Sequence, residues 1–455
     1  MGTEGDGSDV REMEGDVGAE AMFRATWPWA LGALVASAGL GSALMHALKN
    51  HSRTVVWGVM YAKVGILAFV SLSLLARGVV DGGLVCAFVA AIAAFVIYLW
   101  RGELNLVASM IAVSAQSLED NPHLMTVTFA LQLGVVAYVL PVAWMAVKAS
   151  QHGAAAINQY ATDKASGSNA CVGFYGQPVD CCTWNMDSWV GSYYALVALA
   201  AVWVIAAALE CRMYVVGGVV SQWYFAPAGT RDFKGTTKTS LRNAFGPSFG
   251  TICYGGFVIT IIEMLKQATE KARRENNRNI IMCCVAMCLE CIYAIIEYIS
   301  RFAMIQASMT GEAFCDAARS ITDLLQRNFL LAYGTYAFPQ SILGFMVVIL
   351  SGLFGYIVYL LSDLGLGALT SANDTSTVSF FGGIVCFVVS YIVLTFLVTV
   401  LLNVVDAVFV CYAIDKDRST VHHADLHAVF NEVTEKQNAA MGEPLDNTQT
   451  KYASM

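Results

Sequence analysis

Long apolar runs separated by short polar stretches fill most of this chain and limit what it can fold into. A hydrocarbon core about 30 Å thick needs roughly 20 apolar residues per helical crossing, so runs of this length predict membrane-spanning helices. The chain has 455 residues, of which 57% are hydrophobic and 13% charged, and its mean hydropathy is +0.59. The runs lack the short alternating pattern of transmembrane β-strands. The sequence therefore predicts an all-α, polytopic helical membrane protein.

About ten transmembrane helices are expected. Nine runs are strongly apolar, whereas the run at 102–117 is short and carries Glu103 and Asn105. This run is interpreted either as a span protected by surrounding protein or as a helix lying at the membrane interface. The predicted runs are 27–48, 54–76, 82–100, 102–117, 123–148, 190–218, 243–266, 280–308, 340–361 and 379–412.

Polar segments flank a transmembrane domain at 27–414. Residues 1–26 and 415–455 are low in apolar content and predict disordered tails. Three histidines of the second tail, His422, His423 and His427, are expected in a solvated segment rather than in a metal site.

Two loops set the expected orientation of the chain. The loop at 149–188 holds Cys171, Cys181 and Cys182, which would form disulfide bonds in an oxidising compartment. The loop at 362–378 holds a glycosylation sequon at Asn373. Placing both loops outside the cytoplasm gives ten crossings with cytoplasmic N- and C-termini. The basic stretch at 266–278 then lies outside as well, which the positive-inside rule disfavours.

The run at 280–308 carries cysteines and glutamates whose roles differ. Three of its four cysteines, Cys284, Cys288 and Cys291, fall along one helix face, and we expect the cysteines to pack rather than to bind a metal. The polar stripe of the same run cannot face lipid, so it lies against protein or water. One interpretation makes it part of a substrate site, and the other pairs Glu297 with Arg301 and satisfies Glu290 from a neighbouring helix. The stripe consists of Glu290, Tyr293 and Glu297.

A second stripe lies in the run at 190–218. Trp203, Glu210 and Tyr214 share a helix face, with Ala207 between the first two. A quaternary ammonium ion donates no hydrogen bonds, so it is held by aromatic faces and a nearby negative charge, which this stripe offers. The alternative is structural, because Trp and Tyr are common at membrane interfaces and Glu210 could neutralise Arg212. Trp57 and Tyr61, with Lys63 nearby, form a lesser candidate group.

Motifs of soluble enzymes are absent from the sequence. We find no GxxxxGK[ST], HExxH or GxSxG pattern, so ATP-driven pumping by this chain alone and hydrolytic chemistry are not expected. The sequence therefore predicts a protein that is not an enzyme and needs no cofactor.

Four ordered blocks and a closing motif resemble the choline transporter-like family. The blocks are "VVGGVVSQWYF" at 215–225, "SLRNAFGPSFGT" at 240–251, the cysteine-rich run at 280–308 and "GEAFCDAARSITDLLQRN" at 311–328, and the closing motif is "VVDAVFVCYAID" at 404–415. The fourth block also has charges at helical spacing and predicts an amphipathic cytoplasmic helix. The resemblance covers roughly 54–415 and includes a tryptophan matching Trp203. The chain departs from the family in the short "KNHSR" link between its first two runs, in having Tyr293 where members carry a glutamate, and at Glu210 and Arg212.

The resemblance implies a ten-helix transporter in the plasma membrane or an organelle. Its cargo would be choline or a related organic cation such as ethanolamine, moved by facilitated or proton-coupled transport to supply phospholipid synthesis. Asn403 and Asp406, three residues apart near the end of the last run, are candidates for coupling. The expected partners are the cation, membrane lipids and protons. The alternative function is a membrane scaffold or lipid-interacting protein without transport activity.

Overall fold

The structure, a computed structural model, describes residues 9–157, 171–172, 178–179, 182–226, 236–275, 280–327, 329–363, 375–418, 420–422 and 427. Its helices are α1 (Asp9–Ala76), α2 (Val80–Leu99), α3 (Arg101–Asp120), α4 (Pro122–Ser150), α5 (Ser188–Tyr224), α6 (Thr236–Ala244), α7 (Phe249–Glu275), α8 (Ile280–Thr310), α9 (Phe314–Arg327), α10 (Phe329–Asp363) and α11 (Thr375–Asp417). Its strands are β1 (Gly153–Ile157), β2 (Cys171–Val172), β3 (Pro178–Val179) and β4 (Cys182–Met186).

The apolar runs coincide with these helices. Within the described residues, seven helices are long and apolar enough to cross a membrane, so the chain is a polytopic helical membrane protein. One of the seven, Thr26–Ala76, holds two predicted runs and contains a break at His51, whose φ of −135° and ψ of 33° are not helical. Each of the ten predicted runs thus has a helical counterpart, while the number of crossings stays a prediction.

Helix α3 is the element that the sequence left with two interpretations. It is not one of the seven candidate spans. Apart from its ends, its described side chains are buried or half-buried around the whole helix, including Leu104, Val107 and Ile111. A helix lying on a membrane surface would leave one face exposed, so α3 is surrounded by protein; that it crosses the membrane stays a prediction.

Helix boundaries differ from the predicted run where a turn interrupts the sequence. The run at 243–266 divides into α6 and α7 because residues 245–248 form a turn closed by the Ser248 N–H bonding to the Asn243 carbonyl at 3.1 Å. Pro247 lies in this turn and has no backbone N–H to continue a helix. In the N-terminal tail that was expected to be disordered, α1 begins at Asp9.

The described chain divides into two compact units. The first comprises 1–125, 216–236 and 322–455, and the second comprises 126–215 and 237–321. Each unit is described by itself below.

In the first unit, the part of α1 before His51 runs parallel to α11. Ala33 packs in a cluster with Cys386, a Cβ on Gly41 would overlap the Leu397 side chain, and a Cβ on Gly382 would meet Thr26 at 4.0 Å. Thr26 therefore lies at the end of the unit where α11 begins, and the C-terminal end of α11 lies at the other. Two cytoplasmic tails would require these helices to be antiparallel if each crosses once, so the structure differs here from the expected orientation.

In the second unit, α5 packs closely against α7. A Cβ on Gly256 would lie 2.6 Å from the backbone of Ala207, so only glycine permits this approach. Helix α9 is amphipathic as predicted, with the apolar residues Phe314, Ala317 and Ile321 buried. The ring of Phe314 packs on the ring of Tyr254 of α7 with centroids 5.6 Å apart.

The connection between α4 and α5 contains β-structure that the sequence did not predict. Strand β1 pairs antiparallel with β4, and β2 pairs antiparallel with β3. Exposed aromatic residues lie next to this connection, including Trp144 near the end of α4 and Trp189 at the start of α5, as expected near a membrane interface. The predicted disulfide lies outside what can be described, because Cys181 and the side chains of Cys171 and Cys182 are not among the described residues. Asn373 is also outside them.

Candidate functional site

Glu210 is a buried carboxylate on an apolar helix. It lies on α5 and is 7% exposed. Its Oε1 accepts a long hydrogen bond of 3.4 Å from the Ser300 hydroxyl of α8, and the Arg301 guanidinium lies within electrostatic range. Its Oε2 has no hydrogen-bond partner in the described part of the chain. The partner that the sequence suggested, Arg212, forms no ion pair with it among the described residues.

Trp203 and Tyr214, the aromatic residues of the same stripe, contact α7 and the turn before it. The Trp203 indole N–H donates to the Cys253 carbonyl at 3.1 Å, and the indole remains 41% exposed. The Tyr214 hydroxyl donates to the Ser248 hydroxyl at 2.8 Å, and its side chain is buried. The Trp203 ring meets the edge of the Phe257 ring at a centroid distance of 6.5 Å. The stripe therefore faces α7 and α8 rather than lipid along its buried part.

The polar stripe of α8 faces α7 and is matched there residue by residue. The cross-helix contacts are Lys266 Nζ to Glu297 Oε2 at 2.6 Å, Thr269 to the Tyr293 hydroxyl at 3.3 Å, and Arg273 to Glu290 at 3.3 Å. We call this set the α7–α8 ladder. Lys266 also contacts Glu263 of its own helix at 3.2 Å. The pairing of Glu297 with Arg301 that the sequence suggested is replaced by the pair with Lys266, whereas the neighbouring-helix partner expected for Glu290 is present.

The α7–α8 ladder bears on the basic stretch that the positive-inside rule left unexplained. Lys266 and Arg273 each have a glutamate on the facing helix, and Arg274 pairs with Glu270 one turn away. The positive-inside rule counts lysines and arginines rather than net charge, so this pairing does not remove the conflict with the expected orientation.

Asn403 and Asp406, the coupling candidates, lie in the first unit on α11. Asn403 is 2% exposed and Asp406 is 6% exposed. Both are therefore protein-facing rather than lipid-facing. The structure describes them in a different unit from Glu210, and their coupling role stays a prediction.

Asp415 is a polar centre that the sequence analysis missed. Its fully buried carboxylate contacts the Thr420 hydroxyl and His422 Nδ1 at 2.6 Å each, and His427 Nε2 at 3.2 Å. The His422 N–H and the Tyr224 hydroxyl donate to it at 3.0 and 3.4 Å. The histidines expected in a solvated tail thus include two, His422 and His427, that contact Asp415 of α11. The sequence feature that could have identified this centre is that Asp415 is the last residue of the closing motif and Tyr224 belongs to the first family block.

A metal site is not formed by the residues that the structure describes. No three His, Cys, Asp or Glu side chains among them gather closely enough to hold an ion. The described cysteines of α8, at 284, 288 and 291, are exposed and free.

Comparison with known proteins identifies the family. A family model described as the plasma-membrane choline transporter matches residues 84–417, which is most of the chain. Two CTL-like proteins of Dictyostelium discoideum are 27% and 29% identical over 208 and 248 residues, which cover 44% and 49% of this chain and 35% and 42% of those proteins. Choline transporter-like protein 5 of Mus musculus is 22% identical over 230 residues, covering 48% of this chain and 32% of that protein.

These matches span less than half the length of each of those relatives. The description of the family is that of a transporter, which agrees at the family level with a protein that is not an enzyme. The candidate spans and this description together make the chain an integral membrane protein, with the plasma membrane as its place. The resemblance of the four sequence blocks is confirmed, and the chain belongs to the plasma-membrane choline transporter family.

Proposed function

We propose that this protein transports choline or a related organic cation such as ethanolamine across its membrane, by facilitated or proton-coupled transport that supplies phospholipid synthesis. Family membership supports the transport class. The observation that carries the proposal further is Glu210, a buried carboxylate with one oxygen lacking a hydrogen-bond partner in the described chain. An intramembrane charge is expensive and marks a functional site unless it is fully satisfied.

Glu210 is a better countercharge for the cation than the carboxylates of the α7–α8 ladder. Glu290 and Glu297 are each already opposite a basic side chain of α7. A cation binding to either would have to displace a lysine or arginine. Glu210 Oε2 has no hydrogen-bond partner in the described chain, so Glu210 would also serve as the group that exchanges a proton if transport is coupled.

Trp203 would supply the aromatic face for the ammonium group. It lies two turns before Glu210 on α5, with the small residue Ala207 between them. The α7 backbone at Gly256 packs directly on Ala207 in this conformation. Helix α7 therefore covers the surface of α5 between the Trp203 indole and the Glu210 carboxylate. Transport would therefore require α5 and α7 to separate at this contact. Tyr214 and Tyr293 would line the site with their rings, since each hydroxyl contacts another hydroxyl.

Ethanolamine would use the same carboxylate differently. A primary ammonium donates hydrogen bonds, so Glu210 Oε2 and the Ser300 hydroxyl would act as acceptors. Choline would depend more on the Trp203 face. Trp203→Ala should therefore reduce choline uptake more than ethanolamine uptake, whereas Glu210→Gln should reduce both.

Uptake of labelled choline by the purified protein in lipid vesicles tests the proposal. Glu210→Gln should lower uptake at least tenfold, and Trp203→Ala should lower it about fivefold because a cation–π contact contributes about 1 kcal/mol. The matched controls are Glu119→Gln, which alters an exposed glutamate, and Trp144→Ala, which alters an exposed indole on α4. Wild-type uptake that survives both site substitutions would remove this site from the proposal.

Ligand-dependent thermal stability separates transport from a scaffold role. A carrier should be stabilised by choline and tetramethylammonium with saturation, by about 2.7 kcal/mol at a hundredfold excess over the dissociation constant. Sodium chloride at equal concentration is the control. A protein that no amine stabilises and that shows no uptake would instead be a scaffold or lipid-interacting member of the family.

A further inference from the structure

Lys63 is a cation in an apolar helix without a carboxylate partner in the described chain. Its Nζ donates to the backbone carbonyl and the hydroxyl of Ser341 on α10, each at 2.8 Å. It also lies 5.1 Å from the centroid of the Phe345 ring. These groups are neutral, so the positive charge stays uncompensated. Lys266 and Arg273 of α7, by contrast, each face a glutamate.

Arg101 is a second cation beside the same part of α10. Its guanidinium stacks 5.3 Å from the centroid of the Tyr98 ring, and no ion pair involves it within the described residues. Its neighbour Trp100 packs on Phe338 with ring centroids 5.1 Å apart. Phe338 lies one helical turn before Ser341. The contacts of Lys49 with Glu119 and of Trp57 with Asn105 show that α1 and α3 run antiparallel, which brings Lys63 and Arg101 to a similar level beside α10.

This turn of α10 lies at the level of a membrane interface. Leu99, next to Trp100, is the last residue of the candidate span Val80–Leu99, and Trp100 packs on Phe338 of α10. Aromatic side chains that mark membrane interfaces surround it, including Tyr61 at 65% exposure and Tyr98 at 64%. Lysine side chains reach such a level by extending along apolar surface.

We propose that Lys63 and Arg101, with the Ser341 hydroxyl, bind the phosphate of an anionic phospholipid headgroup. We call the group formed by Lys63, Arg101, Ser341 and Phe338 the Lys63 surface. A phosphate oxygen accepts hydrogen bonds from ammonium, guanidinium and hydroxyl groups alike. The exposed apolar residues Ile66, one turn after Lys63 on α1, and Phe95, on the last turns of α2, suit acyl chains, which a free phosphate would not need. The inference is independent of the transported substrate.

Native mass spectrometry of the detergent-purified protein tests the inference. Equimolar phosphatidylglycerol and phosphatidylcholine are offered, and phosphatidylglycerol should be retained preferentially. Lys63→Gln should weaken its binding about fivefold, because each basic residue at an anionic membrane surface contributes about 1 kcal/mol. Arg101→Gln should have a similar effect, and the double variant should lose about 25-fold. Lys63→Arg keeps the charge and should retain binding.

Lys49→Gln is the matched control. Lys49 lies on α1, as Lys63 does, but already pairs with Glu119 of α3 at 3.1 Å, so its substitution should leave lipid binding unchanged. Equal retention of both lipids, or phosphatidylglycerol binding unaffected in Lys63→Gln and Arg101→Gln, overturns the proposal. Complete displacement of the lipid by millimolar inorganic phosphate overturns it as well, because the site would then bind free phosphate. If Lys63→Gln is not monodisperse, the other two variants provide the test. Arg101→Gln should still lose phosphatidylglycerol binding, and Lys63→Arg should still retain it.

Discussion

Asp415 illustrates how a single buried carboxylate joins segments that are far apart in the sequence. Its oxygens contact Tyr224 of α5 and Thr420, His422 and His427 beyond the end of α11. A carboxylate with this many partners recovers the interactions with water that it loses on burial. The residues after α11 are therefore held at the helix by this side chain, together with the ring contacts of His422 with Phe225 and of His427 with Tyr412. This explains why the tail predicted to start at 415 begins with residues docked on the protein.

Asp415→Asn should loosen this C-terminal attachment. The substitution keeps the shape but removes the charge and replaces an acceptor with a donor, so hydrogen bonds to a charged group are lost. We expect the free energy of unfolding to fall by about 2 kcal/mol. Trypsin cleavage at the exposed Arg418 should become faster, as followed by mass spectrometry, while the apparent melting temperature falls by a few degrees.

Asp417→Asn is the control for this prediction, because Asp417 is exposed and only two residues away. It should leave cleavage at Arg418 near the wild-type rate. Equal cleavage rates for wild type and Asp415→Asn would contradict the attachment role of Asp415.

At the scale of elements, α7 and α8 form an antiparallel pair held by the α7–α8 ladder. The sequence predicted that Glu290, Tyr293 and Glu297 share a face and that this face avoids lipid. It did not predict their partners, because the rotation and register of two helices are set by packing between them rather than by either sequence alone. Arg301 was the nearest basic residue in sequence to Glu297, whereas Lys266 is the nearest in space.

A double-mutant cycle on Arg273 and Glu290 tests the α7–α8 ladder. Each side chain is about half exposed, so the pair should contribute about 0.5–1 kcal/mol rather than the larger value of a buried pair. Arg273→Gln and Glu290→Gln should each lower stability, and the double variant should lose less than the sum of the two. Apparent melting temperatures of the four proteins in detergent provide the measurement.

Arg274→Gln combined with Glu290→Gln is the matched control cycle. Arg274 pairs with Glu270 on its own helix, so its effect and that of Glu290→Gln should simply add. Additivity in the Arg273 cycle as well would show that the contact between Arg273 and Glu290 does not stabilise the protein.

At the scale of the whole molecule, hydropathy predicted where the helices lie but not how they are arranged. The length of an apolar run is enough to predict a membrane helix, so each predicted run corresponds to a helix in the structure. The surroundings of α3 were left open because its Glu103 and Asn105 lower its hydropathy, and only neighbouring helices make it a buried element. Glu210 was identified from its place in an apolar run, whereas its contact with Ser300 depends on a helix ninety positions away.

The direction of the first helix is the clearest difference between sequence and structure. Contacts of Thr26 with Gly382 and of Gly41 with Leu397 require α1 before His51 to run parallel to α11. A tag fused before residue 1 should therefore lie on the same side of the membrane as the sequon at Asn373, and a tag after residue 455 should lie on the other. Antibody binding to each tag in intact and in permeabilised cells measures this.

Asn373→Gln supplies the reference for sidedness, because loss of a glycan would establish that residues 364–374 face the lumenal or extracellular side. With that reference, the N-terminal tag should be accessible in intact cells and the C-terminal tag only after permeabilisation. If both tags require permeabilisation, the two tails are cytoplasmic as the sequence predicted. The parallel packing of α1 and α11 would then be wrong, since two helices that each cross once and pack in parallel must begin on the same side.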